Sequence, residues 1–135
     1  MSSHLDLKGY NHLTLTVTDL KRSREFYTGL MGLNVIAEFG PTRLILGNED
    51  MVISVGEPPD PSQAIANDSF NENRVGLDHL SFSVESVHEL ERAQKLFSEA
   101  GVRHAEIKEL TDFGIAVMMF WDPDNIQLEL TAPLI

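Results

Sequence analysis

His12 and His79 stand at the same place in two copies of one phrase, GYNHLTL (residues 9–15) and GLDHLSF (residues 76–82). An extended chain turns successive side chains to opposite faces. His12, Thr14 and Thr16 therefore share one face, and Asn11, Leu13, Leu15 and Val17 share the other. In the second copy His79, Ser81 and Ser83 oppose Leu80, Phe82 and Val84. Near the end of the chain Gln127, Glu129 and Thr131 oppose Ile126, Leu128 and Leu130. Both histidines and Glu129 thus fall on polar faces. A sheet face left to water accounts for any one of them. Together, two imidazoles and one carboxylate make up a facial triad, which holds a divalent metal and leaves three octahedral positions for substrate or water. From the residues alone both readings stand.

Such residues need a scaffold to bring them together, and the chain repeats one. After NHLTLTV comes Asp19, a helix N-cap, then Leu20, Ser23, Phe26, Tyr27 and Leu30 at helical spacing up to Leu33, with Gly29 and Gly32 as stops. After DHLSFSV comes Ser86, with Glu89 three residues on in capping-box order; Val87, Leu90, Ala93, Phe97 and Ala100 then mark one helical face, and Gly101 ends it. The caps keep the 67-residue offset of the histidines. Three strand-like runs follow each helix: residues 34–39, 42–47 and 51–55, then 102–110, 115–121 and 125–131. GPT and DPDN between runs are turn chemistry. The expected architecture is α+β, a β-α-β-β-β module written twice (9–55 and 75–132) within one domain spanning 1–135. The loop 56–74 joins the modules, and a loop that long is either a linker or part of a binding site. Modules this small cannot cover both sheet faces, so two must pack together, within the chain or across a dimer.

Composition narrows the chemistry. With 42% apolar and 23% charged residues, the 135-residue chain has the make-up of a globular domain. Its net charge of -11, from 21 acidic and 10 basic side chains, repels phosphate backbones and anionic lipid, so neither nucleic acid nor a membrane surface is an expected partner. The absence of cysteine excludes disulfides, thiolate catalysis and cysteine-held metal. The opening MSSHLDLKGY lacks the apolar stretch of a signal peptide, and IAVMMFW is too short to span a bilayer, so a cytoplasmic protein is expected.

The paired modules, with NHLTLTVTDLKRSREFYTGLMGL, LDHLSFSV and DPDNIQLEL, resemble the vicinal oxygen chelate superfamily, which groups glyoxalase I, extradiol dioxygenases, fosfomycin-resistance enzymes and bleomycin-resistance proteins. The likeness spans residues 9–132. It implies two modules packed into an incomplete barrel, a homodimer, and a divalent ion (Fe2+, Mn2+, Zn2+ or Ni2+) held by His12, His79 and Glu129. The resemblance also implies that the strands of His79 and Glu129 lie side by side.

Departures from the relatives sort the activities. Ser54, the repeat counterpart of Glu129, stands where glyoxalase I carries a carboxylate, which weakens a glyoxalase or epimerase reading. Met119 stands where ring-cleaving dioxygenases carry a tyrosine. TDFGIAVMMFW supplies no cluster of Lys or Arg for a phosphonate. Candidate substrate-facing residues are Thr14, which matches a substrate-touching threonine of the fosfomycin-resistance enzymes, Arg43 as an anion partner, and Phe113, Met119 and Trp121 as apolar walls. Plain core packing and a surface arginine are the competing readings for these. His4, His88 and His104 read as solvated. The expectation is a metal-dependent small-molecule enzyme of dioxygenase-like or lyase/isomerase type. Its rival is a metal-free, drug-sequestering protein of the bleomycin-resistance type. Whether the site is built within one chain or at a dimer interface is left open at this level.

Overall fold

The computed structural model describes residues 3–135, so the first two residues of the expected domain lie outside it. The chain divides into two compact units, Met1–Ala64 and Ile65–Ile135, with the boundary inside the expected loop.

The first unit runs β1 (Leu13–Thr16), α1 (Leu20–Arg24), a π-helical stretch (Glu25–Leu30), β2 (Asn34–Phe39), β3 (Arg43–Gly47) and β4 (Val52–Gly56). Its mixed sheet has the order β1-β4-β3-β2, with β1 parallel to β4 and the other pairs antiparallel. Asp19 caps α1, its carboxylate accepting from the Arg22 amide at 3.2 Å. The helix expected to reach Leu33 stops at Leu30, and its second half is π rather than α. Thr28 Oγ1 donates to the Arg24 carbonyl at 2.6 Å, and the Met31 amide reaches back five residues to Phe26. The wider turn lets the consecutive Phe26 and Tyr27 both bury, ring edge to ring face at 5.0 Å. Leu15, Val17, Leu44, Leu46, Ile53 and Val55, the apolar side of this sheet, are buried as well.

The second unit repeats the plan with β5 (Leu80–Ser83), α2 (Val87–Ala100), β6 (Lys108–Leu110), β7 (Ile115–Trp121) and β8 (Gln127–Pro133), in the order β5-β8-β7-β6. β5 again runs parallel to its neighbour, β8. Leu90 and Phe97 bury the inner face of α2, and Phe97 stacks on Phe120 of β7 at 4.5 Å. The capping box expected at Ser86 does not close, since the Ser86 side chain makes no cap bond. The Glu89 carboxylate is held instead by the Arg92 guanidinium at 3.1 and 3.2 Å. The strand expected over 102–110 shrinks to its last three residues plus one bridge, His104 to Phe120. His104 is not simply solvated: its ring is hydrogen-bonded to Ser98 Oγ and the Ala105 carbonyl oxygen and lies against Phe97. The DPDN turn forms as expected, with Asp122 Oδ1 accepting from the Asp124 and Ile126 amides. It also ties down part of the long loop, since Phe70 bonds both to Asp124 and to the Asn125 side chain.

Both phrases that carry the histidines begin on a glycine with positive φ, +106° at Gly9 and +139° at Gly76, a conformation that L side chains rarely adopt. The alternation expected from the sequence holds in both units. Leu15, Val17, Phe82, Leu128 and Leu130 are buried, whereas His12, Thr14, Thr16, His79, Ser81 and Ser83 are exposed. No helix among the described residues is long and apolar enough to cross a membrane.

Candidate metal centre

His79 lies immediately before the first laddered residue of β5, and Glu129 lies in the middle of β8. The parallel register pairs Ser81 with Glu129. In consequence His79 Nε2 comes within 3.7 Å of Glu129 Oε1. Two donors each about 2.1 Å from a shared divalent ion can be at most about 4.2 Å apart, so this spacing admits a common ion. The other ring nitrogen is engaged: Asp78 Oδ1 lies 2.7 Å from His79 Nδ1. A carboxylate only accepts, so Nδ1 carries the proton and Nε2 presents its lone pair. A histidine held in this way by a carboxylate is the usual state of a metal-ligating imidazole.

A further layer fixes these groups. Gln127, nearly buried, donates through Nε2 to Asp78 Oδ1 at 3.0 Å and to the Asp78 carbonyl at 3.1 Å. Thr131 Oγ1 donates to Glu129 Oε1 at 3.2 Å and pairs with Ser81 Oγ at 2.6 Å. Glu129 is 15% exposed, enough shelter to keep its carboxylate off bulk water on most sides.

The first unit builds one half of the same arrangement. His12 stands just before β1, and its Nδ1 lies 2.7 Å from Asn11 Oδ1, so its Nε2 is likewise left open. Here the partner is a neutral amide rather than a carboxylate. Ser54 holds the place of Glu129, since β1 and β4 pair Thr14 with Ser54 as β5 and β8 pair Ser81 with Glu129. Among the described residues, no group of three or more His, Cys, Asp or Glu side chains that could hold a metal ion is gathered. What the second unit brings together is the pair His79 and Glu129.

The other expected site residues fall into place unit by unit. Met119 lies directly across the β7–β8 ladder from Glu129, and Trp121 across from Gln127, so both share the Glu129 face. Ala116, Met118 and Phe120 turn the other way and are fully buried. Trp121 also lies under the Arg103 guanidinium, 3.9 Å from the ring centroid. Phe113 sits on the exposed turn before β7. Four residues of extended chain separate the start of β7 from Met119, about 13 Å, so the structure does not bring Phe113 to Glu129. In the first unit Thr14 is exposed beside Ser54, and Arg43 Nη1 donates to Ser54 Oγ at 3.3 Å.

Sequence reasoning passed over Asn11, Asp78 and Gln127. A signal was present for the first two, because each histidine directly follows a side chain with an accepting oxygen, NH in one copy and DH in the other. Gln127 carried no such signal, since its role depends on the ladder between two distant strands.

Residues 9–130 match the family model of the Glyoxalase/Bleomycin resistance protein/Dioxygenase superfamily. The uncharacterized protein YwkD of Bacillus subtilis (strain 168) is 31% identical over 130 residues, covering 92% of this chain and 96% of its own. Among solved structures, a glyoxylase/bleomycin resistance protein/dioxygenase domain from Frankia sp. EAN1pec superposes with a TM-score of 0.79 at 32% identity, over 95% of this chain and 99% of that one. The fosfomycin resistance protein FosX from Listeria monocytogenes, complexed with Mn(II) and sulfate, superposes with a TM-score of 0.74 over 96% of this chain and 94% of that one. At 21% identity that last likeness is one of fold.

Proposed function

The chain belongs to the Glyoxalase/Bleomycin resistance protein/Dioxygenase superfamily, and from that premise we propose that it is a metal-dependent enzyme acting on a small molecule with two adjacent oxygens. The observation that carries the proposal is His79 Nε2 facing Glu129 Oε1 at 3.7 Å with its Nδ1 already engaged by Asp78. His12, prepared in the same way by Asn11, is the third protein ligand. FosX of the same fold carries Mn(II) in its structure, which supports a divalent ion of the Mn2+, Fe2+, Zn2+ or Ni2+ class here.

When bound, such an ion supplies Lewis acidity, polarising the substrate oxygens and stabilising the negative charge that develops on them. The chain's own residues do the rest. Asp78 and Asn11 hold the two imidazoles in the tautomer that leaves Nε2 available. Thr131 and Ser81 orient the Glu129 carboxylate. Thr14 offers a hydroxyl on the face of His12, while Met119 and Trp121 form an apolar wall beside Glu129, with Phe113 further out on its turn. Among the described residues no side chain stands out as general base, so proton transfer through water belongs to the proposal. The two units act as one functional domain, and the active form is a cytoplasmic homodimer.

Protein purified without added metal and then titrated with Mn2+, Fe2+, Zn2+ and Ni2+ tests this. One ion binds stoichiometrically, and His79→Ala and Glu129→Gln each weaken binding by more than about a hundredfold. If none of the four ions binds the wild type, the reading fails, and metal-free sequestration of a small molecule takes its place. Mixing His12→Ala with His79→Ala chains then shows whether one chain or two complete the site. Restored binding in the mixed dimer requires ligands from both.

A further inference from the structure

The polar face of the first unit is not a copy of the polar face of the second. β1, β4 and β3 place Thr14, Ser54 and Ile45 in one row and Thr16, Gly56 and Arg43 in the next. The matching rows of the second unit are Ser81, Glu129 and Met119, then Ser83, Thr131 and Val117. Ser54 therefore holds the place of Glu129, Gly56 that of Thr131, and Arg43 that of Val117. Where one unit presents a carboxylate, the other presents a hydroxyl with a guanidinium reaching it.

The local packing fits that exchange. Arg43 crosses Gly56 to put Nη1 3.3 Å from Ser54 Oγ. A Cβ at Gly56 would lie 3.3 Å from Arg43 Cζ and Nε, so the missing side chain is what leaves room for the guanidinium. Arg43 is half-buried and Ser54 is buried. A guanidinium has five N–H donors in a planar fork matched to an oxyanion, and Ser54 takes one of them. The chain carries 21 acidic side chains, yet none of the described ones forms an ion pair with Arg43. Exposed Arg24 and Arg92, by contrast, each hold a glutamate. A half-buried cation kept from its own chain's carboxylates in a protein of net charge -11 is poised for an anion from outside.

We propose that Arg43 and Ser54 form a subsite for an oxyanion, a carboxylate or phosphonate group of the small-molecule substrate. The guanidinium takes two oxygens of the anion through its free N–H groups, and the Ser54 hydroxyl fixes the plane of the fork. That the anion belongs to the substrate rests on the metalloenzyme reading above; that the subsite takes an oxyanion does not.

The test is a titration of the isotope-labelled full-length protein with acetate and with methylphosphonate at constant ionic strength, with chloride as the control. The Arg43 Nε–H signal, assigned by its absence in Arg43→Lys, and the Ser54 and Gly56 amides are followed. Saturable shifts with one or both oxyanions but not with chloride are expected, and the tighter of the two names the group. Arg43→Ala weakens the response of the two amides by at least about tenfold. Arg43→Lys, which keeps the charge and loses the fork, retains part of it, and it stands in should the alanine variant fail to fold. Shifts equal to those with chloride, or none up to about 100 mM, a limit set by millimolar-range affinity, would overturn the subsite. Mn2+ titration of the same sample reads the metal separately. Oxyanion binding when none of Mn2+, Fe2+, Zn2+ and Ni2+ binds keeps the subsite and removes the metalloenzyme, and metal binding without oxyanion binding does the reverse.

Discussion

Asp78→Ala separates what the Asp78 carboxylate does for His79 from what it does for the fold. It lies 2.7 Å from His79 Nδ1 and accepts a second bond from Gln127 at 3.0 Å. A hydrogen bond to a charged group contributes about 1.5–3 kcal/mol when sheltered. Asp78 is 66% exposed, so solvent screening brings this down to about 1–1.5 kcal/mol, which is about tenfold in an equilibrium constant. Under the proposed metal-binding function that loss falls on metal affinity, because the ring is free to turn or to move its proton to Nε2 once the carboxylate is gone. The fold loses little, because Gln127 Nε2 keeps its bond to the residue 78 carbonyl and no buried donor is stranded. Titration with Mn2+, followed by the electron paramagnetic resonance signal of the free ion, should show affinity about tenfold weaker, and urea unfolding should shift by less than about 1 kcal/mol. Asp78→Asn, which retains an accepting oxygen and loses only the charge, should fall between, resembling the Asn11 arrangement of the first unit. Unchanged Mn2+ affinity in Asp78→Ala, with wild-type stability, would refute the claim that this carboxylate prepares His79. A loss of several kcal/mol of stability would show that its role is to hold the fold.

Phe97→Ala removes the ring stacked on Phe120 beneath α2 and should cost about 3–5 kcal/mol, read as a shift in the urea midpoint. Gly56→Ala puts a Cβ 3.3 Å from the Arg43 guanidinium and 3.2 Å from the Thr42 carbonyl oxygen; it should cost about 1–3 kcal/mol of stability and weaken acetate or methylphosphonate binding severalfold in the same titration. The Glu89 carboxyl is held below its ordinary value by its bonds to Arg92, so its contribution to stability is present above the unfolded-state value and fades as pH falls through the lowered one. Arg92 is exposed and Glu89 is about one-third exposed, so the pair is screened by solvent and Glu89→Gln should leave the neutral-pH melting temperature nearly unchanged, with any difference from wild type shrinking further in acid.

Much of this protein is legible in the order of its residues. The 67-residue repeat, the strand-helix-strand order, and the polar faces bearing His12, His79 and Glu129 follow from periods of two and of 3.6 residues that are local to the chain. The pairing of Ser54 with Glu129 as repeat counterparts is also readable there, because apolar alternation sets strand register. The π turn after Arg24 is not, since it arises from a Thr28 back-bond and the demand that two consecutive aromatics both find the core. Nor is the loss of most of the strand over 102–110, where His104 is drawn to Ser98 and Ala105. Only the ladders between distant strands bring Glu129 within 3.7 Å of His79, set Gln127 on Asp78, and lay Arg43 across Gly56 to Ser54. Facing along a strand is decided by the residue's own neighbours in sequence. Adjacency between strands is decided by hydrogen-bond register over tens of residues, and that is where the chemistry of this site resides.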